Sequence, residues 1–183
     1  NWAQCLDLGV VAIRRATFVS ILFSRETLET YGLPPAPMFI WADDSEYTVR
    51  VTDQRPGFIV GASRVVHIRA LAGALNLATE DNPVRIRFHR YLIRNTAYLV
   101  RTHYGRRALV DYVRQQLRHA RDLALGGRFA KVRVVLGGLK DAIGFKPQVE
   151  RPQDPPSALD ATVSQILATP RLKPSPGSGG GDP

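Results

Sequence analysis

Phe39-Ile40-Trp41-Ala42-Asp43-Asp44-Ser45-Glu46-Tyr47-Thr48-Val49-Arg50 is the stretch on which the reading of this chain turns. It begins apolar, passes through a Trp, reaches two adjacent carboxylates and continues in a helical pattern. A helix is predicted from Ser45 to Gln54, with Glu46 near its start and Arg50 and Arg55 toward its end, the charge order a helix dipole favours. Pro56-Gly57 closes it. Carboxylates at a helix mouth sit where backbone N–H groups can hold their charge. Two readings follow: Asp44 is a fixed carboxylate able to serve as a general base, or Asp44 is an N-cap and Trp41 a core residue.

Upstream, Thr17 to Ser24 is rich in β-branched and aromatic residues and predicts a largely buried strand. Ser24 is the expected N-cap of a helix over Arg25 to Tyr31, with Gly32 as its stop and Pro34, Pro35 and Pro37 enforcing a loop. Downstream, short strands are predicted at Phe58–Gly61 and Arg64–Ile68. Three helices follow Asn82-Pro83. The first, Val84 to His103, carries a wide apolar surface that includes Phe88, Tyr91, Leu92, Tyr98 and Leu99. The second has an apolar stripe of Leu109, Val113, Leu117, Ala120 and Ala124, with Arg114, Arg118 and Arg121 on another face. The third has Phe129, Val132, Leu136, Leu139 and Ile143, and ends at Gly144. After Lys146-Pro147 the composition turns to Pro, Ser and Gly, which cannot bury enough to order itself, apart from one short helix expected at Ser157 to Thr169.

With 183 residues the chain suits one domain plus appendages, and 44% apolar with 22% charged residues excludes a wholly disordered chain. The single cysteine, Cys5, cannot form an internal bridge. Ala16 to Phe23, the longest apolar run, falls far short of the ~20 residues a spanning helix needs. The chain starts at Asn1 with no leader pattern, and is read as a piece of a longer protein.

The net charge of +9 is unevenly spread. Residues 84–150 hold fifteen Lys and Arg against four Asp and Glu, whereas residues 1–83 hold seven against nine. Such a block attracts polyanions, whether nucleic acid or an acidic lipid surface. A nucleic-acid-binding helical module is one alternative reading, although no zinc-finger spacing, aromatic RNP signature or Gly-x-x-Gly clamp accompanies the charge. A structural interaction domain, with both Asp residues as caps, is another.

The string WADDSEYTVR resembles the acidic motif of bacterial family 2 glycosyltransferases, in the Trp-x-Asp-Asp-x-Glu-Tyr form of galactofuranosyl- and rhamnosyl-type polysaccharide enzymes. FVSILFSRETLETYGLP is similar to the strand, helix and Gly-Leu-Pro turn that precede it there. Gly57-Phe58-Ile59-Val60 and Ser63-Arg64-Val65-Val66-His67 resemble the strand pair ending in a His. Arg90-Tyr91-Leu92-Ile93-Arg94-Asn95 resembles a Tyr-Tyr-x-x-Arg-Asn helix, and LGGLKDAIG (136–144) the Gly-rich closing helix. The similarity spans roughly residues 10 to 147.

The resemblance implies an α/β fold: the C-terminal half of a GT-A, Rossmann-like glycosyltransferase domain followed by amphipathic helices. Residues 1–83 would be the acceptor-side part of the catalytic domain, 84–146 a basic helical region and 147–183 a mostly disordered tail. Asp44 would be the catalytic base, taking a proton from an acceptor hydroxyl as it attacks the anomeric carbon of a nucleotide sugar, with inversion. Trp41 and Asp43 would hold the acceptor, with Glu46 assisting or supporting the helix start. His67 would join an Asp-x-Asp pair on a divalent ion, Mn2+ or Mg2+; His89, His103 and His119 lie in basic helices without a carboxylate grouping and receive no metal role. The side chains of Asp44 and His67 are expected to share an open cleft. That Asp-x-Asp pair and the nucleotide pocket belong to a half not found in these residues, so the fragment is expected to be inactive alone. The implied partners are a nucleotide-sugar donor and a glycan or polyprenyl-diphosphate acceptor in cell-wall or polysaccharide biosynthesis. A membrane surface and a second copy of the chain are further candidate partners, nucleic acid is not expected, and the implied location is cytoplasmic, peripheral to the membrane.

Overall fold

The computed structural model describes Cys5, residues 8–68 and residues 75–153. All but Gln153 belong to one unit that ends at Pro152. The expected boundary at residue 83 falls inside that unit, at the start of a helix. The helix expected at Ser157 to Thr169, and the tail around it, lie outside the described residues.

The fold is mixed α/β and mostly helical. β1 (Val10–Ile13) pairs antiparallel with β2 (Gly57–Val60), in the register Val10 to Val60 and Ile13 to Gly57. Two strands alone are marginal, so this ribbon depends on what it leans against. α1 (Arg25–Tyr31) lies between the strands in sequence, and the ribbon's support is the helix after it, α2 (Asp43–Thr52). Thr52 Oγ1 donates to the Arg14 carbonyl at 2.7 Å, and Arg14 makes paired contacts of 3.1 and 2.8 Å with Asp53 Oδ1. The chain passes close to α2 at Gly57, where a Cβ would stand 3.1 Å from Thr52 Cγ2 and that methyl would have to give.

α1 forms as the sequence predicts: the Ser24 hydroxyl accepts from the Thr27 N–H at 3.2 Å, and Gly32 ends the helix at φ 78°. The strand predicted at Thr17–Ser24 does not form. No neighbouring strand among the described residues offers these eight residues a hydrogen-bond ladder. Instead Phe18 and Phe23 pack edge-on against Tyr47, and Leu22 is left 96% exposed. Arg64–Ile68 is also not a strand, for the same reason, and the partner that β2 does find is Val10–Ile13.

The remaining helices are α3 (Pro83–His103), α4 (Gly105–Leu125) and α5 (Phe129–Gly144). Asn82 caps α3 by accepting from the N–H groups of Val84 and Arg85. The core of this bundle is Leu77, Ile93, Ala120, Leu123 and Val135, with Ile86, Val132 and Leu139 against it. α3 and α5 approach closely at Gly137 and Gly138, beside Arg90 and Ile93. Arg90 pairs with Asp141 across the seam at 2.5 and 2.8 Å. Arg101 donates to the carbonyls of Ala142 and Phe145 at 3.2 and 2.7 Å, satisfying the end of α5.

The apolar faces expected for α4 and α5 need correction. On α4 the expected stripe holds at Ala120, which is buried, and at Leu109, Val113 and Ala124, which are half-buried; Leu117 is 48% exposed, and Leu123 is buried in addition. On α5, Phe129, Leu136 and Ile143 face outward while Val135, Gly138 and Ala142 are buried. Small residues form the seam because they let two helix backbones come together. Among the described residues no helix is long and apolar enough to cross a membrane.

Candidate functional site

The chain enters α2 through an unusual turn. Phe39, Trp41 and Ala42 all have positive φ, at 64°, 60° and 67°, although none is glycine. Such conformations are uncommon for residues with a Cβ and persist only where the surroundings impose them. Ala42 is the N-cap and offers no side-chain cap; Glu46 N–H closes the first helical bond onto the Ala42 carbonyl at 2.9 Å. The carboxylates follow at once, so Asp43, Asp44 and Glu46 all lie in the first turn, where the helix dipole favours negative charge.

α3 supplies what holds the turn. The side-chain amide of Asn95, fully buried, donates toward the carbonyls of Met38, Ile40 and Trp41 at 2.8, 3.1 and 2.9 Å. Arg94 Nη2 donates to the Pro37 carbonyl at 2.7 Å, and Arg94 Nε to Asn95 Oδ1 at 3.0 Å. Its guanidinium lies 3.9 Å from the Phe145 ring centre and 5.0 Å from that of Tyr91. The Trp41 ring rests edge-on against Phe88 and His89, with centroid separations of 6.1 and 5.1 Å.

The expected site residues separate into groups. Trp41, Asp43 and Asp44 are together and half-buried, with Asp44 Oδ1 accepting from the Ser45 N–H at 2.6 Å. Glu46 is 1% exposed and faces inward, so it supports the helix start and offers nothing to an acceptor at the surface. Its oxygens meet Arg50 at 3.0 and 3.1 Å, and Arg50 also donates to the carbonyls of Tyr31 and Leu33. His67 is exposed, in an irregular segment. Among the described residues, a surface pocket of about 360 Å³ lies beside Phe18, Phe23 and Pro34 and one of about 410 Å³ beside Arg107, Val110 and Arg114, and these two are not lined by Asp44 or His67. Among the described residues no group of three or more His, Cys, Asp or Glu side chains is placed to hold a metal ion.

A second cluster was not visible in the sequence. His103, at the end of α3, reaches back to α2. Its Nε2 stands 3.6 Å from Glu46 Oε1 and its Nδ1 3.2 Å from Asp53 Oδ2. The expectation that His103 has no carboxylate near it is thus corrected: the carboxylates lie 50 or more residues away in sequence. The Glu46 carboxylate, and then Asp53, hold the His103 imidazole above its ordinary range against the opposing effect of burial. Burial pushes Glu46 up, but His103 and Arg50 together bring it below the usual carboxylate range. His89 shows the opposite behaviour: buried with its Nε2 lacking a hydrogen-bond partner, it is driven down, first by burial.

Comparison of the chain with family models, with curated proteins and with solved structures returned no match.

Proposed function

We propose that this chain is the acceptor-side part of an inverting glycosyltransferase of the family 2 type, of GT-A architecture, with Asp44 as the base. One observation carries the reading. Three motifs that share the resemblance but lie far apart in sequence meet in space: Asn95 holds the backbone of the Trp-x-Asp-Asp turn, and Arg90 and Ile93 of the same helix seat the Gly-Gly and Asp141 of the third. In this reading a half-buried carboxylate on a rigid helix end takes the proton of an acceptor hydroxyl during attack. Trp41 and Asp43 beside it orient the sugar, because in-line attack needs the reacting oxygen held close to the anomeric carbon and aligned with it. The donor pocket and the divalent ion belong to a nucleotide-binding half joined to this chain.

The outer faces of α4 and α5 support the membrane-surface part of the reading. Val110, Leu117 and Leu125 are exposed among Arg106, Arg107, Arg114, Arg118 and Arg121, and Phe129, Leu136 and Ile143 are exposed beside Arg133 and Lys140. Interfacial helices bind through such apolar side chains plus about 1 kcal/mol per basic residue near an anionic surface.

The test is transfer by the complete polypeptide from a panel of UDP- and dTDP-sugars to polyprenyl-diphosphate-linked acceptors. Inverted product is expected. Absence of transfer, with a steeply salt-dependent gel shift on nucleic acid instead, would favour the alternative use of the basic helices.

A further inference from the structure

We propose that Asn95, oriented by Arg94, is a positioning residue that holds residues 38–42 in the left-handed turn from which Asp43 and Asp44 emerge, so that α3 sets the geometry of the carboxylate pair. The proposal rests on the reading of Asp44 as the base and deepens it.

The chemistry of the contact is specific to a carboxamide. An Asn side chain has two N–H hydrogens and one carbonyl oxygen. Here its nitrogen faces three backbone carbonyls within 3.1 Å and its oxygen accepts from Arg94 Nε at 3.0 Å. Arg94 thereby settles which way the amide points, since the reversed amide would set its oxygen against three carbonyls. Arg94 is itself fixed by the Phe145 ring and by the Pro37 carbonyl. Asn95 itself is fully buried, and its contact with the Met38 carbonyl is buried with it.

Arg94 adds a contact of 3.5 Å from Nη2 to the Met38 carbonyl, and Asn95 holds the carbonyls closer to the helix start. Ala42 carries no cap, and its left-handed conformation together with that of Trp41 determines the direction in which α2 starts. The carbonyls of Ile40 and Trp41, which Asn95 holds, come just before the first helical residue, Asp43. Releasing them lets Trp41 and Ala42 relax toward negative φ, which swings the first turn of α2 and its two carboxylates.

The experiment compares Asn95→Ala, Asn95→Asp and Arg94→Gln in the complete glycosyltransferase, with Asp44→Asn as the reference. Trp41 emission, read in this 183-residue chain in a Trp2→Phe background, where it is the single Trp, reports the turn. A displacement on the order of 1 Å at a catalytic group costs about 10²-fold in rate. Both Asn95 variants are therefore expected to shift Trp41 emission and lower kcat by about that factor, with the KM for the nucleotide sugar unchanged. Arg94→Gln, which keeps Asn95 but frees its orientation, should shift both in the same direction by less. Should the Asn95 variants fail to fold, the kcat of Arg94→Gln decides the matter. Wild-type kcat in the folded variants while Asp44→Asn abolishes transfer would overturn the positioning role and leave the functional reading standing. Full transfer by Asp44→Asn would overturn both.

Discussion

Replacing Gly138 by Ala tests the packing that joins the two halves of the site. A Cβ built on Gly138 would stand 2.8 Å from Ile93 Cβ, 2.9 Å from the Arg90 carbonyl oxygen and 2.9 Å from Ile93 Cγ2. Carbon contacts are comfortable at about 3.5–4.0 Å, so α3 and α5 would have to part by about 0.7 Å or more. Two of the three obstructing atoms are backbone or Cβ and cannot rotate away. Overpacking of this kind costs about 1–3 kcal/mol, while the better helix propensity of Ala returns about 1. The net expectation runs from near zero to a loss of about 2 kcal/mol, or up to about 8 °C in Tm for a chain of this size. Gly137→Ala is the control. Its added Cβ would meet only the guanidinium end of Arg90, at 3.3–3.4 Å, which can move aside. That variant should match the wild type or exceed it by up to about 1 kcal/mol. Thermal unfolding followed by circular dichroism at 222 nm separates the two. Gly138→Ala should unfold below Gly137→Ala, and equal Tm values for the two variants would refute the close seam between α3 and α5.

The His103 cluster and the first helix lend themselves to similar tests. Because His103 is held above its unfolded value of about 6.5, its contribution is complete below that pH and is lost as pH rises through the raised value. Glu46 and Asp53, held low, lose theirs only as pH falls through their depressed values. His103→Gln should therefore cost about 1.5–3 kcal/mol near pH 6 and progressively less at alkaline pH, measured by urea unfolding across that range; a cost that grew with pH would contradict the network. Ser24→Ala should lower stability by about 1 kcal/mol through loss of the α1 cap, whereas Ser24→Asp should retain it. Vesicle flotation should show this chain binding phosphatidylglycerol-containing but not purely zwitterionic vesicles, and less so at high salt; equal binding to both would remove the electrostatic component.

What could be read in advance depended on how local its cause is. Ser24 and Gly32 mark the ends of α1 because capping and positive φ are properties of single residues. The three long helices were legible from their periodicity, and so was part of their inward faces, at Leu99, Ala120, Val132 and Leu139. A search for large apolar residues selects Phe129, Leu136 and Ile143, whereas the seam is made by Gly138 and Ala142, whose value lies in what they lack. Thr17–Ser24 has strand composition, yet a strand needs a partner as well as a propensity. Of the candidate site, Trp41, Asp43 and Asp44 are singled out by the resemblance, while their spacing alone leaves the N-cap and core reading open. The strained turn could not be, since Phe39, Trp41 and Ala42 give no sign of positive φ. Nor could the task of Asn95, because the carbonyls it binds have no side-chain signature. His103, Glu46 and Asp53 form a cluster only through the packing of α3 on α2.

The most direct test of the proposed chemistry is sugar transfer by an Asp44→Asn variant of the complete polypeptide, measured beside its affinity for the nucleotide sugar. Loss of a general base predicts a fall in kcat of about 10²–10⁴-fold with folding and donor binding preserved. Turnover at the wild-type rate would show that the carboxylate at the start of α2 takes no proton in the reaction, and the proposed chemistry would have to be abandoned.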